Sequence, residues 1–483
     1  MMSTSVPQDF SLNSVDDDHR FLSRELCHNL FDRVFSFANS KYKVVTQITS
    51  SWEGDIRWAR NRTSLASNRR RIRIRITLGH QDHRIGEVAT NQLDDVSLKA
   101  AVQAAERLLD MKGGAHIIQD LSLKAPELTP PEVTIWSDAT YSTTNAMRGE
   151  LARMLIESAE QHEMLSAGYI KMRAGQIAAK SRDLNGHIHG RYDRYTNAEC
   201  TMTVRHPQGL GSGWAGMSSY DWAAIDGPAL ASRALDKCLK SLNPVRIEPG
   251  RYTVILESQA VYQLVKPMID SAARLTPERG RGPYPLNRDA ALGLWRSKLG
   301  LKIVDERITI RHSPSDPEMG VIPVSYTFKF EPVLPITWIE RGVLTALAYN
   351  RSYALEKLNE NLPLLQRPGF YMDGGDSSIE EMIATTKRGL LVTRFSDDIE
   401  TLDLNSLLMT GITRDGLLLI ENGTITKAVH NFRFTGSPLF VLNQVELLGK
   451  PMPVYTGSDI PAPAFVPPIK ANDFSFTALV DAI

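Results

Sequence analysis

Between Arg71 and Ile76 arginine and isoleucine alternate, with Arg71, Arg73 and Arg75 set against Ile72, Ile74 and Ile76. That period of two predicts a strand with one apolar and one cationic face. The stretch KVVTQITS from Lys43 predicts a strand before it, and a turn over Gly79 to Arg84 leads into a further strand, IGEVAT. The period then changes. Leu98, Ala101, Val102, Ala105, Leu108 and Leu109 fall on one stripe of a helix in SLKAAVQAAERLLDM. The same order returns in CTMTVR, a turn at HPQGLG, GSGWAG and DGPALASRALDKCLKSL, where Ala231, Ala234, Leu235 and Cys238 recur at matching intervals. Two copies of one strand-turn-strand-helix unit are expected.

A polar, acidic lead containing Asp16, Asp17 and Asp18 precedes a helix expected from Phe21 to Phe37. A Pro-rich join, KAPELTPPEV, and a helix from Thr144 to Gly168 separate the two copies. NPVRIEPGRY at 243–252 carries the punctuation of a boundary. Beyond it TVILE, GLLVTRF and LNSLLMTGI read as strands, and WIERGVLTALAY and LLLIENGTITKAVHNFRF as hairpins turning at Gly342 and Gly423. Their Ile-Glu-Arg-Gly and Ile-Glu-Asn-Gly segments are a second internal echo. The expected fold is α+β: a lead and helix over 1–40, an α/β domain with the repeat over 41–245, and a β-rich domain of hairpins and mixed sheet over 246–483.

The 483 residues exceed what one core organises, and 42% hydrophobic composition can fill two or three. With 55 basic and 55 acidic side chains there is no global field to draw nucleic acid or an anionic membrane. The N-terminal MMSTSVPQDF lacks the basic and apolar regions of a signal peptide, and no apolar run reaches the ~18 residues of a membrane span. Three widely spaced cysteines, Cys27, Cys200 and Cys238, argue against a disulfide framework and for a reducing, cytoplasmic setting.

Little in the chain carries chemistry by itself. His162-Glu163 begins like a zinc-peptidase motif, but Ser166 and Ala167 stand where the second histidine belongs. His187 with His189, and His80 with His83, have metal-compatible spacing but no third ligand nearby. The arginines 69, 70, 71, 73 and 75 could track phosphates, yet no aromatics interleave with them, so a solvated sheet face is the plainer reading. Trp residues in RWARN, SGWAG and YDWAA read as packing anchors. No GxSxG elbow is present, leaving a metal-free hydrolase as a minor alternative.

Thr410-Gly411-Ile412-Thr413-Arg414-Asp415-Gly416, Asn431-Phe432-Arg433-Phe434, MDGGDSSIEEMI, VATNQLDDVSLKAAV and the closing PPIKANDFSFTALVDAI resemble the TldD/PmbA family of microbial peptidase subunits along nearly the whole chain. That resemblance implies, for active members, His-Glu-x-x-x-His on a helix after the first strand of the second half, with a C-terminal cysteine as a further zinc ligand. Two imidazoles and a thiolate leave zinc an open position for water, which the glutamate deprotonates. Here the segment after Tyr252–Leu256 is ESQAVYQLVKPMIDSA. No histidine lies between His206 and His312, no cysteine follows Cys238, and Lys266 and Pro267 stand about where the motif belongs. Pro267 is expected to disturb a helix unless it sits in the first turn.

The resemblance therefore implies a metal-free subunit with no catalytic or metal-binding residues and no cofactor of its own. Zinc is expected in a TldD-like partner, in a heterodimer or higher heteromer acting on peptides. Arg414, Asp415, Asn431 and Arg433 are candidate peptide or partner contacts; they can equally cap turns and pair within the sheet. An alternative from the family is a regulatory protein modulating DNA gyrase, touching nucleic acid through Arg69 to Arg75.

Overall fold

The computed structural model describes residues 20–80, 84–111, 135–273, 275–291, 293, 295–313, 334–360, 362–365, 369–458 and 462–480. The expected turn at 81–83, including His83, and the Pro-rich join lie outside them. The N-terminal elements are α1 (Arg24–Phe37), β1 (Lys43–Ala59), β2 (Arg62–Gly79), β3 (Ile85–Thr90), α2 (Asp95–Asp110), a short α3 (Asp138–Tyr141), α4 (Asn145–Glu160), β4 (Leu165–Arg182), β5 (Ile188–Arg205), β6 (Ser212–Ser219) and α5 (Gly227–Lys240). Their strands pair in the order β3-β2-β1-β4-β5-β6.

Contacts divide the chain into two compact units. One comprises Met1–Glu53, Asn68–Leu123 and Ala174–Arg194; the other comprises Gly54–Ser67, Lys124–Arg173 and Tyr195–Ile483. In the first, Leu30 and Val34 of α1 and Leu98, Val102 and Ala105 of α2 pack on Ile74, Ile76 and Leu78, the apolar face of the arginine-isoleucine strand. Ser23 caps α1 and Asp94 caps α2, each accepting an N–H three residues on.

The expected repeat is present. Each copy is an antiparallel hairpin followed by a helix laid on its second strand, β2-β3-α2 and β5-β6-α5. A glycine permits each docking. A Cβ on Gly86 would sit 2.0 Å from the Ala105 carbonyl oxygen, and one on Gly213 would sit 2.1 Å from that of Ala234. Gly and Ala face each other across strand and helix in both copies, so the helix backbone lies directly on the sheet.

The helix expected to run to Gly168 stops at Glu160. Glu163 takes φ 56°, the Met164 N–H returns to the Ala159 carbonyl, and Leu165 opens β4. β4 pairs with both β1 and β5, and that pairing claims residues whose pattern alone fitted a longer helix.

The C-terminal elements begin with β7 (Gly250–Leu256) and α6 (Ser258–Asp270), then β8 (Pro285–Arg288), β9 (Trp295–Ser297), β10 (Ile310–His312), β11 (Ile336–Glu340), β12 (Val343–Leu344), β13 (Phe370–Met372), β14 (Arg388–Phe395) and β15 (Glu400–Asp403). They close with β16 (Leu408–Glu421), β17 (Thr424–Ala428), β18 (Phe432–Gly436), β19 (Val445–Leu448), β20 (Met452–Pro453), β21 (Ala464–Val466) and β22 (Ile469–Leu479). One sheet runs β12-β11-β10-β13-β21-β20 and another β14-β7-β22-β18-β16-β15. Because β14 also pairs with β16, the strands β14, β7, β22, β18 and β16 close on themselves. Val254 and Leu256 point into a core holding Phe395, Phe434 and Phe474, whereas Ile255 between them joins Met382 and Leu418 on the other face. The β7–β14 and β13–β21 pairings are parallel beside antiparallel neighbours, so the α+β architecture with a mixed sheet stands.

Both echoing hairpins turn on two left-handed residues, Arg341-Gly342 (φ 47° and 80°) and Asn422-Gly423 (φ 51° and 80°). The strand expected from Leu404 begins at Leu408, because Asp403 accepts the Asn405 and Ser406 N–H groups and turns the chain first.

Candidate functional site

β7 ends at Leu256, opposite Val392 of β14, and the chain turns at once into α6. Glu257 starts this helix with its N–H on the Val392 carbonyl at 3.0 Å, and its carboxylate pairs with Lys237 of α5. Past Val392, β14 has lost its strand neighbour on that side. Gln263 replaces it: its Oε1 accepts the Phe395 N–H at 2.9 Å and its Nε2 donates to the Phe395 carbonyl at 3.1 Å.

One helical turn earlier, Gln259 does the same for Tyr455. Its Oε1 accepts the Tyr455 N–H and its Nε2 donates to the Tyr455 carbonyl, both at 3.1 Å. Positions four apart share a helix face, so α6 presents two neutral amides, each engaged with main chain. Tyr262 of the same helix stacks on Phe370 with centroids 5.8 Å apart, and Lys266 pairs with Asp270. Pro267 stands in the last turn, not the first; α6 nevertheless continues to Asp270, because only three residues remain beyond the missing N–H.

Around Tyr455 lies an aromatic and polar cluster. Its hydroxyl meets that of Tyr169 on β4, and its ring is edge-on to Trp214 of β6 at 6.3 Å. Burial pushes both phenols above their ordinary range, so the hydroxyl pair stays neutral. The Arg394 guanidinium lies 5.0 Å over the Trp214 ring, and its Nε donates to Asp415 at 2.7 Å. Trp214, expected only as an anchor, thus also faces a cation.

The four candidate contacts have separate surroundings. Asp415 and Gly416 do not form a turn: with φ 57° and 114° they bulge within continuous β16, two residues opposing Thr393 between the Val392–Leu417 and Arg394–Arg414 pairs. Asp415 is 1% exposed; one carboxylate oxygen takes Arg394 and the other, Oδ1, is buried without a hydrogen-bond partner. Asn431 is buried and its Oδ1 accepts the Thr413 hydroxyl at 2.9 Å. Arg414 pairs in register with Arg394, and exposed Arg433 reaches the Thr410 hydroxyl at 3.4 Å.

His162 follows the end of α4 with Nδ1 on the Ser158 carbonyl, and His187 sits in the turn before β5, 3.0 Å from Asp183. Among the described residues no three His, Cys, Asp or Glu side chains converge as a metal site. The α6 donor set of two engaged amides, a phenol and a cation does not fit zinc, which takes imidazole, thiolate or carboxylate. Two arginines of the ladder are paired, Arg69 with Glu53 at 2.9 Å and Arg75 with Glu87 at 3.5 Å.

Sequence reasoning passed over Gln259, Gln263 and Tyr455. No local signal marks them, since a glutamine on a helix face shows its partner only when a distant strand arrives.

Comparison with known proteins follows the same lines. No curated protein matches the chain. Among solved structures it is similar to a proposed modulator of a DNA gyrase from Thermotoga maritima (15% identity, 93% of this chain and 100% of that one, TM-score 0.74). It is also similar to TldE from Thermococcus kodakarensis (16%, 94% and 100%, 0.73) and to a proposed modulator of DNA gyrase from Bacteroides thetaiotaomicron (18%, 94% and 99%, 0.71). At these identities the likeness speaks for the fold. The sequence profile of the PmbA/TldA metallopeptidase C-terminal domain matches residues 249–478, from the start of β7 to the end of β22. Over these residues the chain carries the C-terminal domain of the PmbA/TldD family.

Proposed function

We propose that this chain is the zinc-free, non-catalytic subunit of a two-subunit metallopeptidase of the TldD/TldE type, acting on peptides in the cytoplasm. A TldD-like partner supplies zinc and the catalytic glutamate, and this chain helps enclose and align an extended peptide.

The observation that carries the reading is what α6 holds. In the zinc-bearing relatives this helix would present imidazoles and the C-terminal region a thiolate. Here Gln259 and Gln263 spend that helix face on the main chain of Tyr455 and Phe395. Such a face is built for holding backbone, and no hydrolytic step is assigned to it. The paired Arg69 and Arg75 weigh against the nucleic-acid alternative, because two charges of the ladder are already compensated.

Purified alone, the chain should carry no stoichiometric zinc by elemental analysis and cleave no unfolded peptide. Affinity capture from its native cell should bring down a chain of similar length containing His-Glu-x-x-x-His. One tightly held zinc per chain together with chelator-sensitive cleavage would overturn the assignment.

A further inference from the structure

Between β20 and β21 the chain passes through Val454-Tyr455-Thr456-Gly457-Ser458. Val454 still bonds to Ala464, its N–H on that carbonyl at 3.1 Å, but the next two residues leave the sheet. The Tyr455 N–H and carbonyl are held by Gln259, and the Thr456 N–H donates to the Ser218 hydroxyl at 3.2 Å. Arg173 of β4 donates to the Ser458 carbonyl at 3.4 Å. Side chains from three elements, β4, β6 and α6, thus grip this main chain in place of a neighbouring strand. That is how a receptor reads an extended peptide without regard to its sequence. The single side chain selected is the Tyr455 phenol, set between Tyr169 and Trp214. Pro451, Pro453 and Pro463 cannot donate to a ladder, and Gly457 turns at φ 61°, so the segment is shaped as a strap and not as a strand.

We infer that Val454–Ser458 is a tethered pseudo-peptide: it fills a groove formed by Tyr169, Arg173, Trp214, Ser218 and Gln259, and an extended peptide carrying a tyrosine competes for that groove. The inference rests on the proposed function in one respect, that the groove lies along the helix face where zinc-bearing relatives do their chemistry. A tethered ligand acts at an effective concentration of about millimolar, so free peptide at tens of micromolar, roughly a hundredfold lower, is excluded until the strap lets go. The strap is then the element whose release opens the groove.

The test uses the full chain without a partner, and fluorescently labelled acetyl-Val-Tyr-Thr-Gly-Ser-amide as probe. Tyr455→Gly removes the anchoring phenol, and its anisotropy titration should show binding at least about tenfold tighter than wild type, since more of the population is competent. Adding Gln259→Ala to that variant should abolish the gain. A folded Tyr455→Gly chain that binds no better than wild type overturns the inference, as does a gain that survives Gln259→Ala. Hydrogen exchange on wild type covers the case in which the variant fails to fold. Excess unlabelled peptide should speed exchange at the Tyr455 and Thr456 amides and leave the Phe395 amide unchanged; no acceleration would count against the strap. Neither measurement involves zinc or hydrolysis, so failure here leaves the subunit assignment standing, and zinc in the isolated chain would leave these readings unaltered.

Discussion

Gln263 satisfies both main-chain groups of Phe395, standing in for the strand that β7 ceases to be after Leu256. Phe395 is fully buried and its ring meets Phe434 at 4.4 Å. Removing Gln263 strips the N–H of this partner and leaves the carbonyl only the 3.5 Å contact from Arg394 Nη1, at a cost of about 1–3 kcal/mol for each group. Gln263→Ala should therefore lower stability by about 3 kcal/mol, read as a shift in the denaturation midpoint. Gln263→Glu keeps the acceptor and loses the donor. It should be destabilised at neutral pH and partly recovered in mild acid, where the protonated acid donates again; equal loss at both pH values would refute the assignment.

Asp415 and Arg433 sit in the same family-like stretch, and their substitutions should part company. Asp415→Ala leaves the Arg394 guanidinium beside Trp214 paired, among the described residues, with the exposed Asp397, at a cost of about 3 kcal/mol. Arg433→Ala removes one long hydrogen bond from an exposed strand position and should change stability by no more than about 0.5 kcal/mol. Thermal melts of the two variants side by side make the comparison. Similar losses would show that Asp415 is not the structural ion pair described.

Gly423 and Gly342 occupy second positions of left-handed two-residue turns, and neither has room for a side chain. A Cβ would stand 2.7 Å from the Ala384 carbonyl oxygen at Gly423, and 2.4 Å from that of Val304 at Gly342. Either change to alanine should cost about 2 kcal/mol or more from the left-handed backbone and the clash together. The denaturation midpoint reports it, with Gly186→Ala, at a left-handed position in open space, as the control for backbone strain alone.

The three thiols make the fold sensitive to alkali. Burial pushes Cys27 and Cys200 up to about 12 and Cys238 to about 11, from an ordinary 9.0. Between those limits the native state holds protons that the unfolded chain has released, so stability falls as pH rises from about 9 toward 11–12 and is unaffected by these groups below 9. Buried Tyr169, Tyr262 and Tyr284, also shifted upward by burial, add to the same slope. Melting temperatures from pH 8 to 10.5 should decline, and Cys200→Ala should decline less steeply than wild type. A disulfide-exchange reagent at pH 8 should label the native chain far more slowly than the unfolded one.

The order of elements was legible because each is encoded locally. Alternation in Arg71–Ile76, the stripe in α2 and its repetition in α5, and the Asn-Gly turn at 422–423 depend on neighbours a few residues away. The lack of histidine between His206 and His312, and of cysteine after Cys238, is likewise a property of the sequence alone. What tertiary structure decided was where polar groups spend their hydrogen bonds. The helix expected to reach Gly168 stopped at Glu160 because strand pairing competed for the same residues, and Asp415-Gly416 became a bulge because β16 had to absorb one residue more than β14. Gln259 and Gln263 are ordinary surface residues by pattern. They become the tethers of Tyr455 and Phe395, main chain 196 and 132 positions away, and for Phe395 the cause is that β7 ends where α6 begins.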